Sequence, residues 1–257
     1  SGLCRLLTSR PLTHHPGKRY TYSFSLDLLG HVCERISGKP LDRFVEEDFL
    51  RPMGMRDTHF RLPPGKRCRA ATLYNAERLG KRRRVGDGAE YALVPYRHRD
   101  AAPGILSGGG GITSYNDAGM WSTALDYAKF CSMLSAGGVA PNGRRVLKAS
   151  TTRAFWADAL WQMGGRDGRL PGWHDLDGPA KGGWWDFRGL NLVHAYLDLD
   201  RPPTTTGRGG KARRSRSMWF SGGGGVFWTI DRQRDLVTVS FTQTIGGRGD
   251  ESDGHGP

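Results

Sequence analysis

The stretch from Pro11 to Phe60 constrains the fold more than any other part of this 257-residue chain. It reads PLTHHPGKRYTYSFSLDLLGHVCERISGKPLDRFVEEDFLRPMGMRDTHF, in which Pro16 and Gly17 break the chain before a helix that Ser25 can cap. The apolar side chains with helical spacing are Leu29, Val32, Cys33 and Ile36. This periodicity predicts a helix with these side chains on one face.

A second helix follows within the same stretch. Gly38 supplies the left-handed residue that ends the first helix, and Pro40 suits the first turn of the next one. Pro52 with Gly54 predicts where the second helix stops. Its inward-facing positions are Leu41, Phe44, Val45 and Phe49. Tyr22 is therefore expected just ahead of a well-anchored helix, where its hydroxyl can face a cleft.

The segments of this stretch and several later ones follow one another in a distinctive order. YTYSFSLDLLGHVCERISGKPL precedes LRPMGMRDTHF, a glycine run at 108–111 continues into Ile-Thr-Ser, and DYAKFCSML precedes a Gly-Gly pair. Near the C-terminus, FW.ID and TQ follow a tryptophan and a second glycine run. In order and spacing, these segments resemble the serine β-lactamase-related hydrolases, which include class C β-lactamases, DD-peptidases and family VIII esterases.

The resemblance implies an α+β fold of the β-lactamase and transpeptidase type. Such a fold has an antiparallel sheet with packed helices and a helical lobe, here expected to be incomplete at both ends. The order of elements favours the same class, because consecutive strands follow a run of helices. We expect one partial domain over residues 1–257, mainly helical in 1–165 and with the C-terminal sheet strands in 185–245.

Local patterns predict further elements. Thr123 and Asp126 form a capping box for a helix, and Ser150 is expected to cap another helix that reaches about Trp161. The side chains that share one apolar face of the first of these helices are Tyr127, Phe130, Cys131 and Leu134. Asn142-Gly143 predicts a hairpin turn. Strands are expected at 91–94, 190–199, 226–230 and 236–241.

Tyr22 is the first candidate site residue. In enzymes of this family a Ser-x-x-Lys motif supplies the nucleophile and its base, and a tyrosine from a second motif moves the proton to the leaving group. Tyr22 matches that second motif, so the resemblance implies a general acid/base role. A half-buried tyrosine that anchors the helix start is the alternative. Phe24 stands where many members have asparagine, which favours an esterase over a β-lactamase.

A third motif of the family lies on a sheet strand and supplies an oxyanion-hole amide. Trp219-Phe220-Ser221-Gly222 matches it by its spacing to Phe227-Trp228. The resemblance makes Trp219 a wall of the cleft and the Gly222 amide the oxyanion donor, whereas Trp219 could also be an ordinary sheet residue. Ser221 stands where the family usually has glycine, so its side chain is expected to crowd the helix of the nucleophile.

The first motif is missing from the sequence. No lysine has a serine three residues upstream, and no Gly-x-Ser-x-Gly elbow is present. We interpret the chain as a fragment of a serine esterase or acyltransferase whose nucleophile lies outside it, with small acyl esters or amides as substrates. As given, it should not form an acyl-enzyme. The alternative is a catalytically inactive protein of the same fold that serves as a binding or scaffold module.

Composition restricts the partners. The formal net charge is +13, from 38 Lys and Arg against 25 Asp and Glu. The basic clusters at 81–84 and 211–216 lack the interleaved aromatic residues of a groove that binds single strands. Solvated loops explain these clusters better than a nucleic-acid site, so we expect no specific nucleic acid partner. Polyanion binding stays open as a third hypothesis.

No cofactor or metal is expected. The four cysteines are scattered without a Cys-x-x-Cys pair, and the eight histidines form no His-Glu-x-x-His site. The sequence contains no run of eighteen apolar residues, so it predicts no membrane-spanning helix. It leaves the cellular compartment open.

Overall fold

The computed structural model describes residues 5–6, 8–12, 15–16, 25–78, 91–95, 120–157, 196–198, 216–222 and 225–246. Its α-helices are α1 (Ser25–Ser37), α2 (Leu41–Val45), α3 (Arg51–Met53), α4 (Ala124–Ser135) and α5 (Ala149–Phe155). A π-helical turn spans Glu46–Leu50 and a 3-10 helix spans Pro64–Arg69. The strands are β1 (Tyr74–Arg78), β2 (Tyr91–Pro95), β3 (Tyr196–Asp198), β4 (Ser217–Gly222), β5 (Val226–Asp231), β6 (Leu236–Phe241) and β7 (Thr244–Gly246).

The described strands form two sheets. One is antiparallel with the order β3-β4-β5-β6, and the other has the order β2-β1-β7 with β1 and β7 parallel. The chain passes from the first sheet to the second between β6 and β7, where Gln243 has φ +53°. Helices together with antiparallel sheets confirm the predicted α+β class. The parallel pair was not predicted, because β1 lies in a part of the sequence without clear alternation.

Helix α4 covers one face of the larger sheet. It packs against β5 and β6, and the Tyr127 ring contacts the rings of Trp228 and Phe241. Cys131 and Leu134, two of the positions predicted to share the apolar face of this helix, are fully buried. The buried core cluster comprises Leu50, Met53, Met55, Cys131, Met133, Leu134, Ala140, Trp156, Leu197, Met218, Trp228 and Ile230.

Several predicted boundaries are confirmed. Gly38 and Gly54 both have left-handed backbone, with φ +69° and +71°, at the ends of α1 and α3. Thr123 caps α4, because its Oγ1 accepts a hydrogen bond from the backbone N–H of Asp126 at 3.2 Å. Gly143 has φ +83° in the predicted hairpin turn. Glycine at these turns avoids the steric cost that a Cβ atom would impose.

The predicted helix is present as α1, and most of its apolar stripe is exposed. Leu29, Val32 and Ile36 expose 53%, 47% and 82% of their surface, although their spacing is that of an amphipathic helix. Among the described elements, α1 makes its main contacts with the short α2 beside it. Periodicity sets which side chains share a face, but burial requires a second layer packed against that face.

The predicted start and end of the last helix are also wrong. Helix α5 begins after Lys148, which makes no side-chain capping bond, so Ser150 lies inside the first turn. Trp156 then leaves the helical conformation, with φ −92° and ψ 2°, well before Trp161. The Trp156 side chain is 2% exposed and packs in the core at the point where the helix ends.

Asp126 joins α4 to the segment that follows α3. Its carboxylate is buried and accepts hydrogen bonds from the backbone N–H of Asp57 at 2.7 Å and from Thr58 Oγ1 at 3.1 Å. The other oxygen accepts one from Lys129 Nζ at 2.7 Å. Lys129 Nζ also donates to the carbonyl of Gly54 at 2.7 Å. Asp126 and Lys129 therefore bind both the carbonyl of Gly54 and the backbone N–H of Asp57. Both carboxylate oxygens and the ammonium group have hydrogen-bond partners in this network.

No helix among the described residues is both long enough and apolar enough to cross a membrane.

Replacing Asp126 by alanine should destabilise the fold strongly. The Asp126→Ala variant leaves Thr58 and Lys129 without their buried partner, so the free energy of unfolding should fall by about 3 kcal/mol. Asp48→Ala is the matched control, because Asp48 pairs with Lys39 at the surface, where such a pair contributes at most about 1 kcal/mol. Urea unfolding of both variants measures the difference. Equal losses in the two variants would contradict the role given to Asp126.

Cys131 and Cys68 should differ in reactivity in the folded protein. Burial raises the pKa of the Cys131 thiol to about 12, whereas Cys68 is exposed. Because the thiolate is the nucleophile, iodoacetamide at pH 9 should alkylate Cys68 within minutes and spare Cys131 until the protein unfolds. Peptide mass mapping after alkylation with and without urea tests this. Rapid labelling of Cys131 in the native protein would show that α4 is not packed as described.

Candidate active site

Tyr22 lies outside the described residues, and α1 begins three positions later at Ser25. Its role therefore stays a prediction. A second tyrosine, Tyr127, can be set aside as a general base, because burial against the sheet raises the pKa of its phenol well above the ordinary value. A proton-transfer tyrosine needs the opposite shift.

Trp219 lies on β4, between β3 and β5. Neighbouring side chains on a strand point to opposite faces. Met218 is fully buried and Phe220 packs against the core cluster, so Trp219 points to the face opposite α4. It is half-buried there. The described pairing of β4 with β3 ends at the pair of Tyr196 with Trp219.

Trp219 contacts Phe227 of the next strand. The two ring centroids lie 6.0 Å apart with an interplanar angle of 37°, and Phe227 exposes 40% of its surface. In the register of the sheet Phe227 stands opposite Ser221, so it is the diagonal neighbour of Trp219. The pair forms an apolar wall on the outer face of β4 and β5. The sequence analysis used Phe227 as a spacing marker and missed this contact, which the cross-strand register would have indicated.

Ser221 and Gly222 complete the predicted motif. Ser221 is exposed and shares the outer face with Trp219, so its hydroxyl lies beside the aromatic wall. Gly222 ends the strand, and its carbonyl accepts a hydrogen bond from the backbone N–H of Gly225 at 3.0 Å. A Cβ atom on Gly222 would meet Val226 Cβ at 3.8 Å, an ordinary contact distance. The side of Gly222 that faces Val226 is therefore not crowded.

The structure thus brings Trp219, Ser221 and Gly222 together at one end of β4. An aromatic wall, a hydroxyl and a strand-end backbone are the groups that an acyl chain and its carbonyl oxygen would contact. The hydroxyls of Thr229 and Thr238 lie on the same face and contact each other at 2.6 Å. In the segments that the structure describes, no cluster of His, Cys, Asp or Glu could hold a metal ion.

A separate charged cluster holds the segment that follows Gly54. The guanidinium of Arg69 bonds both carboxylate oxygens of Asp57, at 2.8 and 3.0 Å, and Lys66 Nζ lies 2.9 Å from the same carboxylate. Hydrogen bonds from Arg69, and to a smaller extent from Lys66, hold the pKa of the Asp57 carboxyl well below its usual range. Lys66 also donates to the carbonyl of Arg56. All of these donors are engaged within the cluster, which favours a structural role over a catalytic one.

The Beta-lactamase family model matches residues 1–255, so the chain belongs to the Beta-lactamase family. It is 30% identical over 238 residues to Protein Rv1367c of Mycobacterium tuberculosis (strain ATCC 25618 / H37Rv), covering 92% of this chain and 52% of that protein. It is 27% identical over 248 residues to Esterase EstB of Burkholderia gladioli, covering 93% and 53%. The chain spans about half the length of the curated relatives it matches.

Among solved structures, simvastatin synthase LovD of Aspergillus terreus (LovD6 mutant) aligns with a TM-score of 0.59 at 22% identity. The alignment covers 95% of this chain and 54% of that one. At this identity the likeness shows the fold, and it confirms the predicted β-lactamase and transpeptidase type.

The contact between Trp219 and Phe227 should stabilise the outer face of the sheet. Phe227→Ala removes the aromatic partner and should lower the free energy of unfolding by about 1 kcal/mol. Leu236→Ala is the matched control, because Leu236 lies on the same sheet and is 47% exposed. Its loss should stay within about 0.5 kcal/mol. Urea unfolding followed by tryptophan fluorescence checks both values. A larger effect at Leu236 than at Phe227 would contradict the wall described above.

Proposed function

We propose that this chain forms the proton-transfer and oxyanion part of a serine esterase or acyltransferase with the β-lactamase fold. The nucleophilic serine and its lysine lie outside this chain. Membership of the Beta-lactamase family and the similarity to an esterase support this proposal. The observation that carries it is the position of Trp219, Ser221 and Gly222 together at the end of β4, beside Phe227.

Each part of this site has a distinct role in the proposal. The outer-face rings of Trp219 and Phe227 provide an apolar surface for the acyl chain or the alcohol group of an ester. The Gly222 amide donates a hydrogen bond to the carbonyl oxygen as negative charge develops on it. Tyr22 accepts the proton of the serine hydroxyl through the lysine and delivers it to the leaving group.

The proposed reaction has two steps, acylation of the serine and deacylation. In the first, the serine oxygen bonds to the carbonyl carbon, the ester C–O bond breaks, and the alcohol leaves with the proton that Tyr22 supplies. In the second, the oxygen of water or of another alcohol bonds to the acyl carbon and gives its proton to Tyr22. The bond between that carbon and the serine oxygen breaks, and the serine oxygen takes the proton back. Water yields an esterase and an alcohol yields an acyltransferase. The proposed substrates are small acyl esters, and the uncharged aromatic wall suits their apolar acyl or alcohol groups.

The proposal has a test at the level of the gene. The coding sequence upstream of Ser1 should contain Ser-x-x-Lys in the same reading frame. A fluorophosphonate probe should then label the encoded polypeptide covalently at that serine. A reading frame that starts near Ser1 without the motif would contradict the proposal. An intact motif that fails to react would support the alternative of a non-catalytic binding module.

Tyr22→Phe should lower kcat/KM for a short-chain p-nitrophenyl ester by about 100-fold or more, because a general acid/base contributes at least that factor. Tyr20→Phe is the matched control, since it removes the same hydroxyl two residues earlier in the chain. It should leave kcat/KM unchanged. Steady-state hydrolysis by the polypeptide that carries the nucleophile measures both variants. Equal effects at the two positions would remove Tyr22 from the mechanism.

A further inference from the structure

Helix α1 turns its small and polar side chains toward its neighbour and its apolar side chains outward. Gly30 is buried, and the Glu34 carboxylate accepts a hydrogen bond from the backbone N–H of Leu41, at the start of α2, at 3.0 Å. The three exposed apolar residues on the other side, which we call the outer face of α1, are Leu29, Val32 and Ile36. An amphipathic helix ordinarily buries its apolar stripe. The outer face therefore has the pattern of a surface that a further layer covers.

The proposed chemistry brings a second segment of polypeptide close to this helix. Tyr22 lies three residues before Ser25, where α1 begins, and three residues span at most about 10 Å. In the proposed mechanism Tyr22 exchanges a proton with the serine and lysine of Ser-x-x-Lys, which requires hydrogen-bond distances. The segment with these two residues therefore comes close to the start of α1, and Leu29 lies one helical turn further on.

The size of the outer face distinguishes a tethered partner from a free one. A stable complex of two separate chains buries about 800 Å² on each partner, from about 20 to 30 residues a side. The outer face has only three apolar side chains. A segment of the same polypeptide needs less area, because the covalent link gives it a high effective concentration. The net charge of +13 also opposes the pairing of two copies of this chain.

We infer that the outer face of α1 binds the segment that carries Ser-x-x-Lys, N-terminal to Ser1 in the same polypeptide. This inference rests on the proposed function and names the partner of the site to which Tyr22 belongs. The chain spans about half the length of its curated relatives, so those proteins have polypeptide outside the matched span that can supply such a layer.

The chemistry of the docked segment follows from its two roles. A serine and a lysine three residues apart lie on one face of a helix. The apolar residues that contact α1 then lie on an adjacent face of the same segment, at i, i+3, i+4 spacing. Docking on the outer face holds the serine and the lysine beside the start of α1, where Tyr22 is attached.

Cysteine substitution tests whether the outer face is covered. Ile36→Cys places a thiol on that face, and Arg35→Cys is the matched control, one residue away on another exposed side of the helix. In the present chain iodoacetamide should alkylate both at rates within about threefold of each other. In the polypeptide that includes the residues before Ser1, Ile36→Cys should react about 100-fold more slowly, because its thiol reacts only when the docked segment opens. Arg35→Cys should keep its rate, and tandem mass spectrometry reads each site.

Three results of this experiment would overturn the inference. The first is an Ile36→Cys thiol that reacts equally fast in both polypeptides. The second is an equal slowing of Arg35→Cys, which would show general shielding of the helix and not a contact with the outer face. The third is slowing in the present chain that grows with its concentration, because the occupant is then a second copy.

The wild-type protein provides a measurement without a substitution. In methyl NMR, a soluble gadolinium chelate should broaden the Ile36 methyl resonances in the present chain and much less in the longer polypeptide. Leu125 is the control, because it is 72% exposed on α4 and should broaden equally in both. Undiminished broadening of Ile36 in the longer polypeptide would contradict docking.

Fluorophosphonate labelling of the same longer polypeptide separates this inference from the proposed function. Protection of residue 36 without labelling would support docking and contradict the chemistry. Labelling without protection would contradict docking and support the chemistry. A reading frame that starts near Ser1 leaves no segment to dock and overturns both, which is seen from the gene alone.

Discussion

The buried carboxylate of Asp126 is the interaction on which the rest of the described fold depends. A carboxylate without partners is costly to bury, so its hydrogen bonds to Asp57, Thr58 and Lys129 set where the preceding loop lies against α4. A neighbouring face of α4, which carries Tyr127, packs on β5 and β6. One helix therefore joins the N-terminal helical segments to the sheet that holds the candidate site, and Asp126 fixes the polar side of that junction.

Side chains along β4 point alternately to the two faces of the sheet. One set packs in the core, and the other set forms the candidate site. Met218 enters the core beneath α4, whereas Trp219 and Ser221 occupy the outer face. A shift of the register by one residue would exchange these faces, so the buried side chains also determine which groups can meet a substrate. Thr242 adds the last constraint by bonding the turn at the end of this strand to the neighbouring sheet.

The basic side chains of the loop after α3 are distinct from the two basic clusters that the sequence analysis considered for partner binding. The Lys66 and Arg69 side chains are engaged with Asp57, so their charges serve the loop after α3. The clusters at 81–84 and 211–216 lie outside the described residues. The candidate site itself is built from uncharged groups, so the net charge of +13 does not enter the argument for it.

The sequence by itself determined the left-handed glycines, the cap of α4, and the strands β5 and β6, because each depends on neighbours within a few residues. It determined the class of fold through the order of its segments along the chain and their resemblance to a known family. The resemblance also placed Trp219, Ser221 and Gly222 on one strand. Only the tertiary structure decided that the apolar stripe of α1 stays exposed and that Phe227 stands beside Trp219. It also decided that Thr242 reaches Gly225. Burial and cross-strand contacts join residues that are distant in the chain, and local periodicity has no information about which layer comes to lie against which.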